Sequence, residues 1–95
     1  MDTIDADLTD TRQIAEELSA RLQSQYGSVL GSTALTKELG YQSSASFQRA
    51  LSRGTVPVPI FKIQHRRGSF ALAIDVATWL SHQRAQAVGP RRSAT

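Results

Sequence analysis

Apolar side chains along this chain fall into four groups, each with its own spacing. Ile14, Leu18, Leu22 and Tyr26 recur every four residues, a narrow stripe along one helix. Thr9 or Asp10 is its natural cap, Asp10 accepting from an exposed N–H of the first turn, and Gly27 stops it. Such a stripe can lie on the rest of the module, pair with its copy in a dimer, or do both, because seams between helices are often this narrow. Leu35 and Leu39 share a face of a second helix over 32–39, capped by Ser32 or Thr33, with Lys37 and Glu38 pointing outward. Gly40 ends it by accepting a positive φ, and Tyr41 and Gln42 form a turn. Phe47, Ala50 and Leu51 then have i, i+3, i+4 spacing, which predicts an inward face for a helix over 43–53, capped by Ser43 or Ser44 and ended by Gly54. Val76, Trp79 and Leu80, with Gln83 following, predict a last helix from Asp75 to a stop at Gly89-Pro90, with Trp79 the largest filler of the core.

Between these helices the pattern changes period. Val29-Leu30 is a short apolar pair that tucks into the core. Pro57 and Pro59 exclude helix and favour an extended run. Residues 60–63 and 69–72 have strand-like content, joined by a tip at 64–68 with Gly68 at the turn. The expected class is mostly α with a small β-hairpin. Helix, turn, helix, basic hairpin, helix is the order in which a small winged helix-turn-helix DNA-binding domain is assembled.

The outward face of the 43–53 helix is then Ala45, Arg49 and Ser52, flanked by Ser46, Gln48 and Arg53. Small residues interspersed with Arg and Gln let a helix approach a groove closely and still reach base edges; an ordinary solvated face is the bland alternative. Charge sharpens the picture. Up to Glu17 there are six acids against Arg12, a net of −5, whereas from Leu18 onward ten bases face only Glu38 and Asp75, a net of +8. A basic module behind an acidic leader suggests a polyanion partner. Ninety-five residues make one domain, divided as an acidic flexible leader (1–8), an N-terminal helix (9–27), the winged module (28–88) and a basic flexible tail (89–95). The absence of cysteine excludes disulfides and thiol chemistry. No run of about 18 apolar residues offers a membrane span, and an acidic N-terminus is unlike a signal peptide, so a cytoplasmic, nucleoid-associated protein is expected.

Four short pieces carry a family resemblance: Leu35-Thr36-Lys37-Glu38-Leu39-Gly40; Ser46-Phe47-Gln48-Arg49-Ala50-Leu51-Ser52-Arg53-Gly54; Val56-Pro57 with Arg66-Arg67-Gly68; and Asp75-Val76-Ala77-Thr78-Trp79-Leu80. In order and spacing, over about half the chain, they resemble the MerR-like winged helix-turn-helix proteins of the excisionase and AlpA type. The segment from Val56 to Phe61 is also similar to pyocin-activator-type regulators. The turn at 40–44 is about one residue longer than the usual pattern, and Gln48 stands where an aromatic is often found. The resemblance implies sequence-specific binding of double-stranded DNA.

In such a fold the 43–53 helix lies in the major groove. Arg49 is then placed for a bidentate contact to guanine and Gln48 for one to adenine. Ser43, Ser44 and Ser46, at the helix N-terminus, are candidates for the DNA contact, the last two through phosphate. Lys37 reaches the backbone alongside, and Arg53 serves either as a phosphate contact or as a structural cap. His65, Arg66 and Arg67 occupy the hairpin tip, next to phosphate or the adjacent minor groove. Arg91 and Arg92 add nonspecific attraction. His65 and His82, without cysteine, offer no metal spacing; no nucleophile motif or phosphate-cradling glycine loop is present. No enzyme, metal or cofactor is therefore expected. The expected role is a transcriptional regulator or excisionase-like architectural factor of a phage, plasmid or integrative element, working as a dimer or cooperative assembly. The alternatives are a factor recognising a DNA packaging or partition site, and a protein-interaction adaptor that keeps the fold without binding DNA. The adaptor predicts that the stripe from Ile14 to Tyr26 is essential and that Arg49, Arg66 and Arg67 are dispensable.

Overall fold

The computed structural model describes the backbone of residues 2–94 and the side chains of residues 10–87. The described residues form four helices and a two-stranded antiparallel sheet: α1 (Asp2–Tyr26), β1 (Val29–Leu30), α2 (Ser32–Glu38), α3 (Ser44–Arg53), β2 (Ala71–Leu72) and α4 (Ala73–Ala94). The two long helices at the chain ends pack along one another, and the short elements gather at one end of that pair. The result is elongated, 50 × 27 × 18 Å.

Both long helices exceed the bounds read from the sequence. α1 begins at Asp2, well before the expected cap at Asp10, and takes in most of the acidic leader; acidic residues favour a helix N-terminus, where the backbone dipole is positive. Gly27 does end it, at φ +90°, its N–H donating to the Gln23 carbonyl at 2.8 Å. α4 begins at Ala73, directly after β2, and runs through Gly89-Pro90 to Ala94 instead of stopping there. A proline inside a helix forfeits one backbone bond and costs about 3 kcal/mol; nothing among the described side chains accounts for the continuation. The side chains of the leader and of the basic tail, Arg91 and Arg92 included, lie outside the described residues.

The sheet is assembled differently from the expected hairpin. β2 pairs with β1, in register Val29↔Leu72 and Leu30↔Ala71, and the Ala73 N–H extends the ladder to the Ser28 carbonyl at 2.8 Å. Residues 60–63 contribute a single bridge: Phe61 and Phe70 exchange both backbone hydrogen bonds at 2.9 Å. Beyond that pair the chain bends away, with His65 at φ 66° and Gly68 at φ 95°, and the Arg66 N–H closes a turn on the Ile63 carbonyl at 3.0 Å. Two left-handed residues inside so short a tip take the chain out of ladder geometry, so the hairpin stays one pair long.

The core sits where α2, α3, β1 and α4 meet. Phe47, Leu30, Leu35 and Val76 are fully buried, joined by Leu22, Leu39, Val58, Ala71, Ala73 and Ala77. Phe47, not Trp79, is its largest filler; Trp79 is only half-buried at the margin. The buried face of α4 is Ala73, Val76, Ala77 and Ser81, small residues that let α1 come close, and Trp79 falls to one side of that line. Gln83, expected to continue the apolar face, is exposed, as is His82. The stripe of α1 lies on the module: Leu22 is in the core, and Leu18 and Tyr26 pack against it.

Candidate nucleic-acid interface

α3 is shaped by its two ends. Ser43 is the N-cap: its backbone is extended and its hydroxyl oxygen accepts from the Ser46 N–H at 3.1 Å. Gly54 closes the other end in the left-handed region at φ 70°, and the Thr55 N–H reaches back to the Ala50 carbonyl at 2.9 Å. Between the caps, Phe47 and Ala50 are buried and Leu51 is half-buried, while Ala45, Gln48, Arg49, Ser52 and Arg53 are exposed. That division follows the inward and outward faces expected from periodicity. Tyr41, at the end of the turn from α2, meets Phe47 edge-on with ring centroids 5.6 Å apart, fixing α3 against the segment that precedes it.

The serines at the start of α3 have structural work. Ser43 and Ser46 hydroxyls are 3.2 Å apart, and Arg49 donates through Nη2 to the Ser46 hydroxyl at 3.3 Å. Ser43, Ser46 and Arg49 thus form one ridge on successive turns, which holds the Arg49 guanidinium over the N-terminal half of the helix. The Ser46 N–H is committed to the cap, so an anion at this terminus would meet the earlier amides and the exposed Ser44.

α2 is capped at a different residue from the one expected. Its N-cap is Gly31, with no side-chain cap, rather than Ser32 or Thr33. The Ser32 hydroxyl instead accepts from the Ser69 N–H at 3.3 Å and lies 3.5 Å from the Ser69 carbonyl, tying the start of α2 to the strand leaving the hairpin. Lys37 is exposed in the last turn of α2, as expected. Its neighbour Glu38 does not point freely outward: it is half-buried and accepts from the Tyr26 hydroxyl at 2.7 Å. The same hydrogen bond, with desolvation and the carboxylate charge behind it, raises the Tyr26 pKa above its ordinary 10.0.

At the hairpin tip His65, Arg66 and Arg67 are all exposed. Between the base of the hairpin and α3 lies an open cleft of about 530 Å³, lined by Gln48 and Ser52 of α3 and by Lys62 and Ser69 of the hairpin. The structure therefore brings Gln48 of α3 to a shared cleft with the base of the hairpin, whereas Lys37 and the α3 N-terminal serines stand apart from it. Lys62 and Ser69 were not among the residues singled out from the sequence. The available signal was slight: a lysine alternating with Phe61 and Ile63 in an otherwise apolar run. Among the described residues no cluster of three or more His, Asp or Glu has metal-binding geometry, and no helix is long and apolar enough to cross a membrane. No protein-family model, curated protein or solved structure matches this chain, so a functional reading rests on its own geometry.

Proposed function

We propose that this protein is a sequence-specific double-stranded DNA-binding protein of winged helix-turn-helix architecture, with α3 as the reading helix and the 62–69 hairpin as the wing. It serves as a transcriptional regulator or excisionase-like architectural factor of a mobile element, and occupies DNA as a dimer or cooperative array. The observation that carries the reading is the outward face of α3, where Ala45, Gln48, Arg49, Ser52 and Arg53 are exposed opposite the buried Phe47 and Ala50. A helix with small residues, one amide and two guanidiniums on its free side matches what a major groove accepts and what base edges recognise. The exposed Arg66 and Arg67 supply a second, separate basic element for the neighbouring groove or backbone.

The adaptor alternative predicts that the stripe from Ile14 to Tyr26 is essential and that Arg49, Arg66 and Arg67 are dispensable. Leu22 in that stripe is only 4% exposed and packs in the core, so a change there also strikes folding, and the three arginines are the residues that separate the two readings. Selection of bound duplexes from a random pool, at near-physiological salt, tests the proposal. A defined motif is the expected result, and its symmetry and half-site spacing read out the assembly. Featureless binding that vanishes as salt rises would sink it. Within that motif, Arg49→Ala should cost about 1–3 kcal/mol and relax preference at one base position; an unchanged preference would remove Arg49 from the reading face.

A further inference from the structure

The cleft between α3 and the hairpin base has two kinds of wall. Its floor is apolar, formed by Leu51, Val56, Val58 and Ile60. The rest of its lining is polar: the exposed Gln48, Ser52 and Lys62, and the buried Ser69. Lys62 is the cation that lines it, and it is not loosely placed: its Nζ donates to the Ser69 hydroxyl at 3.2 Å. Ser69 is itself 5% exposed and anchored through its N–H to the Ser32 hydroxyl. A chain of contacts from the start of α2, through Ser69, to Lys62 therefore fixes one ammonium at the mouth of the cleft. An ammonium held by a neutral hydroxyl keeps its charge uncompensated and two further N–H donors available.

From this arrangement we infer that Lys62 and the cleft beside it form a seat for one sugar-phosphate unit of the duplex backbone, with Lys62 binding the phosphate and Ser69 positioning Lys62. The inference deepens the DNA-binding reading and rests on it. The mixed lining selects this occupant over a free inorganic anion. A phosphodiester offers its oxygens to Lys62, and its deoxyribose offers carbon to the Leu51, Val56, Val58 and Ile60 floor. Backbone contacts of this kind set the register of a protein on DNA without reading sequence. A phosphate held between α3 and the wing would fix the depth and angle at which Gln48 and Arg49 meet the bases.

The test uses the full chain, the duplex recovered by selection and a scrambled duplex of equal length, with affinities measured between 50 and 200 mM salt. Lys62→Gln is expected to weaken both duplexes by a similar factor, about fivefold to tenfold, and to lower the slope of log affinity against log salt by about one. Lys62→Arg, which keeps the charge, should restore that slope. Because Lys62 is exposed, both variants should keep the wild-type melting temperature. If Lys62→Gln changes neither affinity nor slope while Arg49→Ala still alters base preference, the phosphate seat is wrong and the DNA-binding reading stands. A loss confined to the selected duplex would also overturn it, by making Lys62 a base contact. If the wild-type chain fails to discriminate the duplexes and shows no salt-dependent binding, both the seat and the reading fall.

Discussion

The long helical pair and the short-element half of this molecule are held together by different means. α1 and α4 are 25 and 22 residues long and meet over small and aliphatic side chains such as Leu18, Leu22, Ala73 and Ala77. Length makes each helix largely self-sufficient in backbone hydrogen bonds, so packing along one stripe suffices to join them. α2 and α3 have 7 and 10 residues, too short to persist alone. That half depends on one fully buried aromatic and a set of directed polar contacts: the Ser43 cap, the Ser32–Ser69 tie and the Gly54 stop. Charge follows the same division. Residues 28–72 carry six bases (Lys37, Arg49, Arg53, Lys62, Arg66 and Arg67) against Glu38, which is tied to Tyr26. Asp10, Glu16 and Glu17 stand exposed on α1. A scaffold can tolerate smooth, interchangeable contacts. A surface that must present particular side chains at fixed positions needs directional ones.

The strongest test of that contrast is to hollow each half in turn. Phe47→Ala should cost about 3–5 kcal/mol and Leu22→Ala about 2–5 kcal/mol, the first at the centre of the short elements and the second under α1. Both should appear in denaturant melts as a single shifted transition, because Leu22 and Phe47 belong to one buried cluster. Two separated transitions would mean that the halves fold independently. A smaller change asks whether the polar contacts matter as much as supposed. Ser43→Ala removes the α3 cap and frees the Ser46 N–H, for a loss of about 1 kcal/mol in the same melts. It should also loosen the Ser46–Arg49 ridge, and if α3 is the proposed reading helix, DNA binding should weaken beyond the stability loss. Equal binding after this change would detach the cap from function.

The contact that bridges the two halves gives the smallest effect. Tyr26, at the end of α1, donates to Glu38 of α2, and its pKa is raised in the folded chain. A phenol that resists ionisation in the folded state contributes stability in full below the unfolded value of 10.0. That contribution is lost as pH rises through the higher folded value. Tyr26→Phe should therefore be slightly less stable than wild type near pH 8 and show a shallower decline above pH 10, measured as melting temperature against pH. Parallel curves for the two proteins would show that the bridge contributes nothing.

Much of the short-element half was legible in sequence because its signals are local. Phe47, Ala50 and Leu51 assign the faces of α3 by spacing, Ser43 and Gly54 mark its ends, and the tip residues His65, Arg66 and Arg67 emerge exposed where a turn was expected. Even so, the cap of α2 was misplaced, since Ser32 has a competing partner thirty-seven residues away in Ser69. Local rules cannot see that competitor. The outer bounds of α1 and α4 were also missed: Gly89-Pro90 reads as a stop, yet the helix passes through it.

The sequence by itself determined which residues turn inward and outward on α3, where the turn and the basic tip fall, and how charge is divided along the chain. These follow from periodicity and from backbone preferences that act within a few residues. Only the tertiary structure decided that β2 pairs with β1 rather than with residues 60–63, and that α4 takes the stripe of α1. It likewise gave the centre of the core to Phe47 instead of Trp79 and aimed Lys62 into a cleft. Each of these is a choice among partners of similar hydrophobicity or hydrogen-bonding capacity, distant in sequence. Shape and simultaneous satisfaction of the whole core, not any local preference, select among them.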